Sequence, residues 1–169
     1  MICIDEMGPV SAKSYAARRL SPNGERPRLA PDYGRRGSLW VYGSFAPATG
    51  VAFTQVAVKR DTACFVAFLD ALVAHWPTGR IVLILDNLST HRSMDVRLWA
   101  LAHERVEFLF QPVYAPWLNL IEPWWKTLRS LALKGRIFAN ADAVTEAIQR
   151  ATTYWNAHRH PYRWRKAYS

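Results

Sequence analysis

Ile81-Val82-Leu83-Ile84-Leu85-Asp86-Asn87-Leu88-Ser89-Thr90-His91 is the stretch that decides the fold. Its first five residues form an unbroken apolar run. That pattern reads as a short strand buried on both faces, as in a sheet covered by helices on either side. The run ends on an acid, and Asp-Asn after a strand is a common turn start. Ligands of open α/β sheets collect beyond the carboxyl ends of strands, where Asp86 falls. Asp86 therefore has two readings, a turn or cap residue and a site residue.

Upstream, residues 2–6 read as a strand and 11–37 as a long loop rich in Pro, Gly, Ser and Arg. Residues 39–46 and 51–58 read as a hairpin around Pro47-Ala48-Thr49-Gly50. Asp61 or Thr62 caps a helix whose apolar stripe is Phe65, Phe68, Leu69, Leu72, Val73 and Trp76, stopped by Pro77-Thr78-Gly79. Downstream of the 80–85 strand come a helix over 93–103, a strand over 106–110, a loop at 111–118 and helices over 120–134 and 142–157. The order βββαβαβαα makes an α/β domain. Its mixed five-stranded sheet, three antiparallel strands followed by βαβ units, carries helices on both faces. This is the element order of the ribonuclease H-like fold. In that arrangement the first and fourth strands are neighbours, Asp5 and Asp86 sit side by side, and the helix after the fifth strand brings Glu122 over them.

Three carboxylates thus fall at element ends. Asp5 lies in Met1-Ile2-Cys3-Ile4-Asp5-Glu6, and thirty-five residues lie between Asp86 and Glu122. Carboxylates about 4 Å apart repel by roughly 4 kcal/mol at an effective dielectric of ~20. Such a cluster protonates, spreads or binds a cation, and hard oxygen ligands suit Mg²⁺ or Mn²⁺. Each acid has a plainer reading as well. Asn119-Leu120-Ile121-Glu122 fits a capping box, although Pro123 disfavours helical geometry at Glu122. Asp5 competes with Glu6, since alternation points them to opposite faces. His91 either orients a water or contacts a phosphate, or it partners a backbone carbonyl. Trp117, Trp124 and Trp125 either stack on bases or fill the core. His158 and His160 lack the further ligands that a zinc site needs.

The chain has 169 residues and a net charge of +9, which suits a polyanionic partner. Between Lys13 and Arg36 there are seven Lys and Arg against Glu25 and Asp32, and no acid follows Glu146. Both basic segments interleave aromatics: Tyr15 and Tyr33 in the first, and Tyr154, Trp155, Tyr162, Trp164 and Tyr168 in the second. Rings of this kind stack on bases while Arg and Lys hold phosphates; the plainer reading is a solvated loop and tail. Arg35, Arg36, Arg163, Arg165 and Lys166, with His91, are the expected DNA contacts. No apolar run is long enough to span a membrane, and no signal peptide is visible. Cys3 and Cys64 match no metal-ligand spacing. No Gly-x-Ser-x-Gly or Gly-x-x-x-x-Gly-Lys motif is present, which removes serine-hydrolase and P-loop chemistry.

Taken together, Asp5-Glu6, Leu85-Asp86-Asn87-Leu88-Ser89-Thr90-His91 and the segment from Pro112 to Lys126, with Tyr114, Pro116, Asn119 and Glu122, resemble the DDE transposases of bacterial insertion sequences related to mariner elements. Tyr33-Gly34-Arg35-Arg36 and the segment from Trp155 to Trp164 share the likeness, so it covers nearly the whole chain. The resemblance implies a retroviral-integrase-like catalytic domain over residues 1–169, with a basic loop at 11–37 and a basic aromatic tail at 155–169. It implies two Mg²⁺ or Mn²⁺ ions held by Asp5, Asp86 and Glu122. It also implies hydrolysis at a transposon end, then attack of the freed 3′-hydroxyl on target DNA. The expected partners are transposon-end and target DNA and further copies of the chain in the active complex. The expected setting is the bacterial cytoplasm, with no membrane. Such transposases carry helix-turn-helix segments before the catalytic domain. Here the first strand begins at Ile2, so the expectation is a separate reading frame, a frameshift partner or a truncated remnant. The other readings are a non-mobile ribonuclease H-like nuclease and a catalytically idle DNA-binding remnant. The resemblance departs at Leu120, where the family has Pro, and at Pro123, which follows the acid.

Overall fold

The computed structural model describes residues 1–15, 36–112 and 118–162. Three strands open the chain: β1 (Ile2–Ser11), β2 (Ser38–Ala46) and β3 (Val51–Ala57). β1 runs past the expected end at residue 6. Gly8-Pro9 does not stop it but sits in a register irregularity between Met7 and Val10, after which Val10 and Ser11 pair with Leu39 and Ser38. The β2–β3 turn closes through the Gly50 amide, which donates to the Ala46 carbonyl at 2.8 Å. Gly50 has φ of 74°, and a side chain there would also overlap the His160 carbonyl.

Then follow α1 (Thr62–His75), β4 (Ile81–Leu85), a 3₁₀ turn (Ser89–Arg92), α2 (Met94–Ala102), β5 (Val106–Phe110), α3 (Ile121–Ala132) and α4 (Ala141–Ala157). Side chains cap three of the helices. Asp61 accepts from the Cys64 amide, Ser93 from Val96 and Asn140 from Ala143. Of the two candidate caps for α1, Asp61 takes the position.

The five-stranded sheet has the order β3-β2-β1-β4-β5. β1–β2 and β2–β3 are antiparallel, and β1–β4 and β4–β5 are parallel. Alternation along the strands divides the core into two layers. Cys3, Val41 and Phe45 face α3 and α4, packing with Trp124, Trp125, Leu128 and Ile148. Ile4, Tyr42 and Leu83 face α1 and α2, packing with Phe65, Phe68, Leu72 and Trp99. β4 is apolar throughout because both its faces are covered: Ile81, Leu83 and Leu85 on the α1 side, Ile84 against the other layer. Each fully buried side chain of this size contributes roughly 1.5–3 kcal/mol.

The end of α4 is fastened to the hairpin. Asn156 accepts from the Ala52 amide at 2.9 Å and donates to its carbonyl at 2.7 Å, and Trp155 Nε1 donates to the Gly50 carbonyl at 2.8 Å. Trp155 also packs with Phe45 at a centroid distance of 6.4 Å. The expected base-stacking role of Trp155 thus gives way to a packing role. The described part of the tail is held there too, by the Tyr162 amide on the Pro47 carbonyl. No helix is long and apolar enough to cross a membrane among the described residues.

Candidate active site

β1 and β4 set the frame of the site. Cys3 pairs with Ile84 across their parallel ladder. Two residues further along come Asp5, the fourth residue of β1, and Asp86, just past the end of β4, so the two acids stand at the same level on adjacent strands. Opposite Asp5 on β2 is Gly43. Its bare Cα lets the Trp125 ring lie against the sheet, where any Cβ would overlap it. Trp125 Nε1 reaches across to donate to Asp5 Oδ2 at 3.3 Å. α3 therefore holds Asp5 from above while the strand holds it from below.

Asn119 fastens the approach to α3. Its Nδ2 donates to the Ile4 carbonyl at 3.1 Å, joining the residue before the helix to β1 beside Asp5. This replaces the capping box read from Asn119-Leu120-Ile121-Glu122. The helix N-cap is Leu120, with no side-chain cap bond, and Glu122 is exposed in the first turn. Pro123 is accommodated within that turn, where a missing amide costs little. Glu122 still acts on the site through its charge.

The Asp5 carboxyl is pushed up to about 7 from 3.8. Burial is the largest cause, and the negative charges of Glu6 and Glu122 add to it against the Trp125 hydrogen bond. A buried acid pressed by two like charges is a site with a standing demand for a cation, and its donors are hard oxygens. The residues present fit a divalent hard metal on that ground. No group of three His, Cys, Asp or Glu side chains stands close enough to hold an ion as drawn, among the described residues. Asp5 and Asp86 stand level on adjacent strands, and Glu122 is exposed in the first turn of α3.

Asp86 is oriented from the other face of the sheet. Its Oδ1 accepts from the Leu88 amide at 3.0 Å and lies 2.9 Å from His91 Nδ1. Both of these contacts fall on one oxygen. His91 Nε2 lies 2.7 Å from Glu6 Oε1, and the imidazole packs on Phe65 at 4.3 Å. Burial alone would lower the His91 pKa, but the hydrogen bonds to Asp86 and Glu6 outweigh it and raise it to about 9. The same His91 bond holds the Asp86 carboxyl below its usual range. At neutral pH His91 is thus an imidazolium between two carboxylates.

The expected DNA contact of His91 gives way to a buried role, because it is 1% exposed with both nitrogens engaged. Glu6 was passed over as the acid pointing away from the site, and it does point away, yet it supports Asp86 through His91. The readable signal was the strand alternation that puts Glu6 beside Ile4 on the α1 side, where a buried carboxylate needs a cationic partner. Trp124 and Trp125 are core residues, 2% and 3% exposed, and Trp125 also contacts the site. Arg36 is half-buried and donates from Nε to the Ala12 carbonyl at 3.2 Å. Arg35, Arg163, Arg165, Lys166 and Trp117 lie outside the described residues, as do Tyr33, Tyr114, Trp164 and Tyr168.

A family model for the DDE superfamily endonuclease matches residues 1–145. The chain belongs to the DDE superfamily endonuclease family. It is 28% identical, over 96 residues, to the insertion element IS630 uncharacterized 39 kDa protein of Shigella sonnei, covering 56% of this chain and 28% of that protein. Two solved structures share its fold. One is the Mos1 transposase paired-end complex with left transposon end, at TM-score 0.69, 16% identity and coverage of 95% of this chain and 48% of that one. The other is the Mos1 mariner paired-end complex with Mn, at TM-score 0.69, 17% identity and coverage of 95% and 49%. The DDE chain thus spans about half the length of these solved chains and a smaller part of the insertion-element protein. The resemblance to insertion-sequence and mariner transposases read from the motifs holds, and so does the ribonuclease H-like fold.

Proposed function

We propose that residues 1–169 form the catalytic domain of a DDE transposase that hydrolyses a phosphodiester at a transposon end and joins the freed 3′-hydroxyl to target DNA. Asp5, Asp86 and Glu122 are the ligands of two Mg²⁺ or Mn²⁺ ions. The carrying observation is the buried Asp5 carboxyl, raised to about 7 beside two further acids and level with Asp86 on the adjacent strand. Family membership and the fold shared with Mos1, solved with a transposon end and with Mn, support the same reading.

Bound between these carboxylates, such ions supply Lewis-acid stabilisation of the attacking and leaving oxygens of the phosphodiester. The chain's own groups do the positioning. Trp125 fixes Oδ2 of Asp5 from α3. His91 and the Leu88 amide contact Oδ1 of Asp86, and Oδ2 would serve as the ligand. Glu122, on the exposed first turn of α3, swings in to complete the set. The DNA-binding roles of Arg35, Arg36, Arg163, Arg165 and Lys166 and assembly with further copies belong to this reading.

The test is nicking of a duplex carrying the element's terminal repeat, with Mg²⁺ or Mn²⁺. Asp86→Asn should abolish nicking while leaving DNA binding intact or tighter, since it removes a negative charge near phosphate. Nicking by Asp86→Asn at the parent rate would overturn the metal-ligand assignment. Nicking without joining would reduce the function to that of a nuclease.

A further inference from the structure

The β5 edge of the sheet carries a surface that the carboxylates do not use. β5 is the last strand in the sheet order, and α2 packs on it through Trp99 and Phe108, at a centroid distance of 6.2 Å. Val96 and Trp99 are the buried residues of α2. On the side of the helix turned away from them, Met94, Leu98 and Leu101 are 65%, 57% and 78% exposed. Their spacing of i, i+4 and i+7 sets them in one ridge. A surface helix ordinarily keeps its outer face polar, and this ridge inverts that pattern. From Leu101 the apolar surface turns into an open groove of about 420 Å³ between α2 and β5, walled by Phe108 and Phe110. The groove lining holds Arg92 and Arg97 and no acid. Arg92 lies over the Phe110 ring at 5.9 Å. Neither guanidinium meets a carboxylate among the described residues. Asp95 falls on the other flank of the ridge, away from the groove.

We propose that this face docks an amphipathic helix of a partner protein, with an apolar ridge and acidic residues along one flank. A contiguous exposed apolar patch rimmed by charge marks a protein contact, and helix-in-groove recognition uses anchors at the spacing that α2 itself displays. The charges select the occupant. Two arginines without acidic partners beside an apolar groove favour carboxylates on the incoming helix, and they disfavour the candidates within this chain. The two longer segments outside the described residues are basic. Residues 16–35 hold five arginines against Glu25 and Asp32, and residues 163–169 hold Arg163, Arg165 and Lys166 with no acid. A second copy brings the same two arginines and a net charge of +9. Like charges set against each other suppress such pairings. The proposal stands apart from the metal reading, because no carboxylate of the site takes part in it.

The experiment is fluorescence anisotropy of the full chain with labelled peptides of about 18 residues, long enough to hold a helix. One peptide carries a Leu ridge flanked by Glu, one the same ridge flanked by Lys, and one the Glu flank with Ser in place of Leu. The Leu/Glu peptide should bind the parent chain about tenfold tighter than either of the others. Leu98→Gln/Leu101→Gln should weaken that binding by about tenfold. Val58→Gln, at a residue 82% exposed beyond β3, should leave it unchanged. Arg92→Glu/Arg97→Glu should reverse the preference, so that the Leu/Lys peptide binds tighter than the Leu/Glu one. Equal binding of the Ser peptide would reduce the effect to net charge and overturn the proposal, and so would an unreversed preference in Arg92→Glu/Arg97→Glu. A dimer seen by sedimentation equilibrium and lost in Leu98→Gln/Leu101→Gln would overturn it in favour of a second copy. Loss of affinity for random duplex DNA in that variant would overturn it in favour of nucleic acid. These positions are exposed, so the variants should keep the parent melting temperature. The three-peptide comparison on the parent chain needs no variant and tests the proposal by itself.

Discussion

Glu6 is tied to Asp86 through a single imidazole, with His91 Nε2 2.7 Å from Glu6 Oε1 and Nδ1 2.9 Å from Asp86 Oδ1. β1 therefore serves the site twice, through Asp5 on one face and through Glu6 on the other. Two consecutive acids on a strand point to opposite faces, and here both directions are used.

Removing His91 should expose the cost of that arrangement. Glu6 is 4% exposed at its side chain and would be left a buried, unpaired charge in His91→Ala. Breaking a buried pair from one side costs about 3–5 kcal/mol. Urea unfolding should show a loss of that size, and a smaller one in the Glu6→Gln/His91→Ala double variant. A loss in the double variant equal to that in His91→Ala would mean that the charge pairing is not the cause.

Breaking the pair should also weaken metal binding, although neither residue is a ligand. Groups that orient a ligand typically contribute 10–100-fold in affinity. Mn²⁺ binding followed by electron paramagnetic resonance should be weakened by about that factor in Glu6→Gln, with the folded fraction unchanged. Parent affinity in that variant would leave Glu6 a purely structural residue.

Stability without metal should fall across neutral pH. His91 titrates at about 9 in the folded chain against 6.5 for an ordinary imidazole. A raised folded value stabilises fully below the unfolded value and is lost as pH rises through the folded one. The His91 contribution is thus complete below about pH 6.5 and gone above about pH 9. Denaturation midpoints over that window, compared with those of His91→Gln, check it, and the variant should lose this part of the slope.

Asp5→Asn should stabilise the metal-free protein while removing its response to Mn²⁺. With its carboxyl raised to about 7, the ionised form is disfavoured in the fold, and the stability it costs appears as pH rises from about 4 to 7. That lift corresponds to a penalty on the order of 4 kcal/mol when fully charged. The variant should melt higher than the parent at pH 8, match it near pH 4, and show no shift on adding Mn²⁺. A lower melting temperature at pH 8 would show that Asp5 is not under strain from its neighbours.

Gly43→Ala should disturb the same carboxylate from across the sheet. A Cβ there overlaps the Trp125 ring, which is 3% exposed and cannot retreat into solvent. Overpacking of this kind costs about 1–3 kcal/mol. Thermal denaturation gives the loss, and indole fluorescence should report a displaced Trp125. An unchanged melting temperature with unchanged emission would mean that the ring has room that the structure does not show.

Much of this was written in local sequence. The unbroken run from Ile81 to Leu85, the stripe from Phe65 to Leu72 and the Pro47–Gly50 turn each carry a periodicity or a backbone preference, and those act over a few residues. So the element order could be read from the sequence, and the pairing of the first and fourth strands followed from the ribonuclease H-like order rather than from any local pattern. Asp5, Asp86 and Glu122 were candidates by their places at element ends, and the family resemblance singled them out together. What only the tertiary structure decided is who stands next to whom. Glu6 and His91 are 85 positions apart, and Asp5 and Trp125 are 120 apart. Asn119, read as a cap for its own helix, accepts from the Ile121 amide at 3.5 Å through Oδ1 and with its other side-chain atom joins that helix to β1. Lys13 and Lys126 share a groove because β1 and α3 leave the site side by side. No window of sequence holds both members of such a pair, and the choice among partners is made by burial, which forces a charged or polar group to take whatever the packed chain brings within reach.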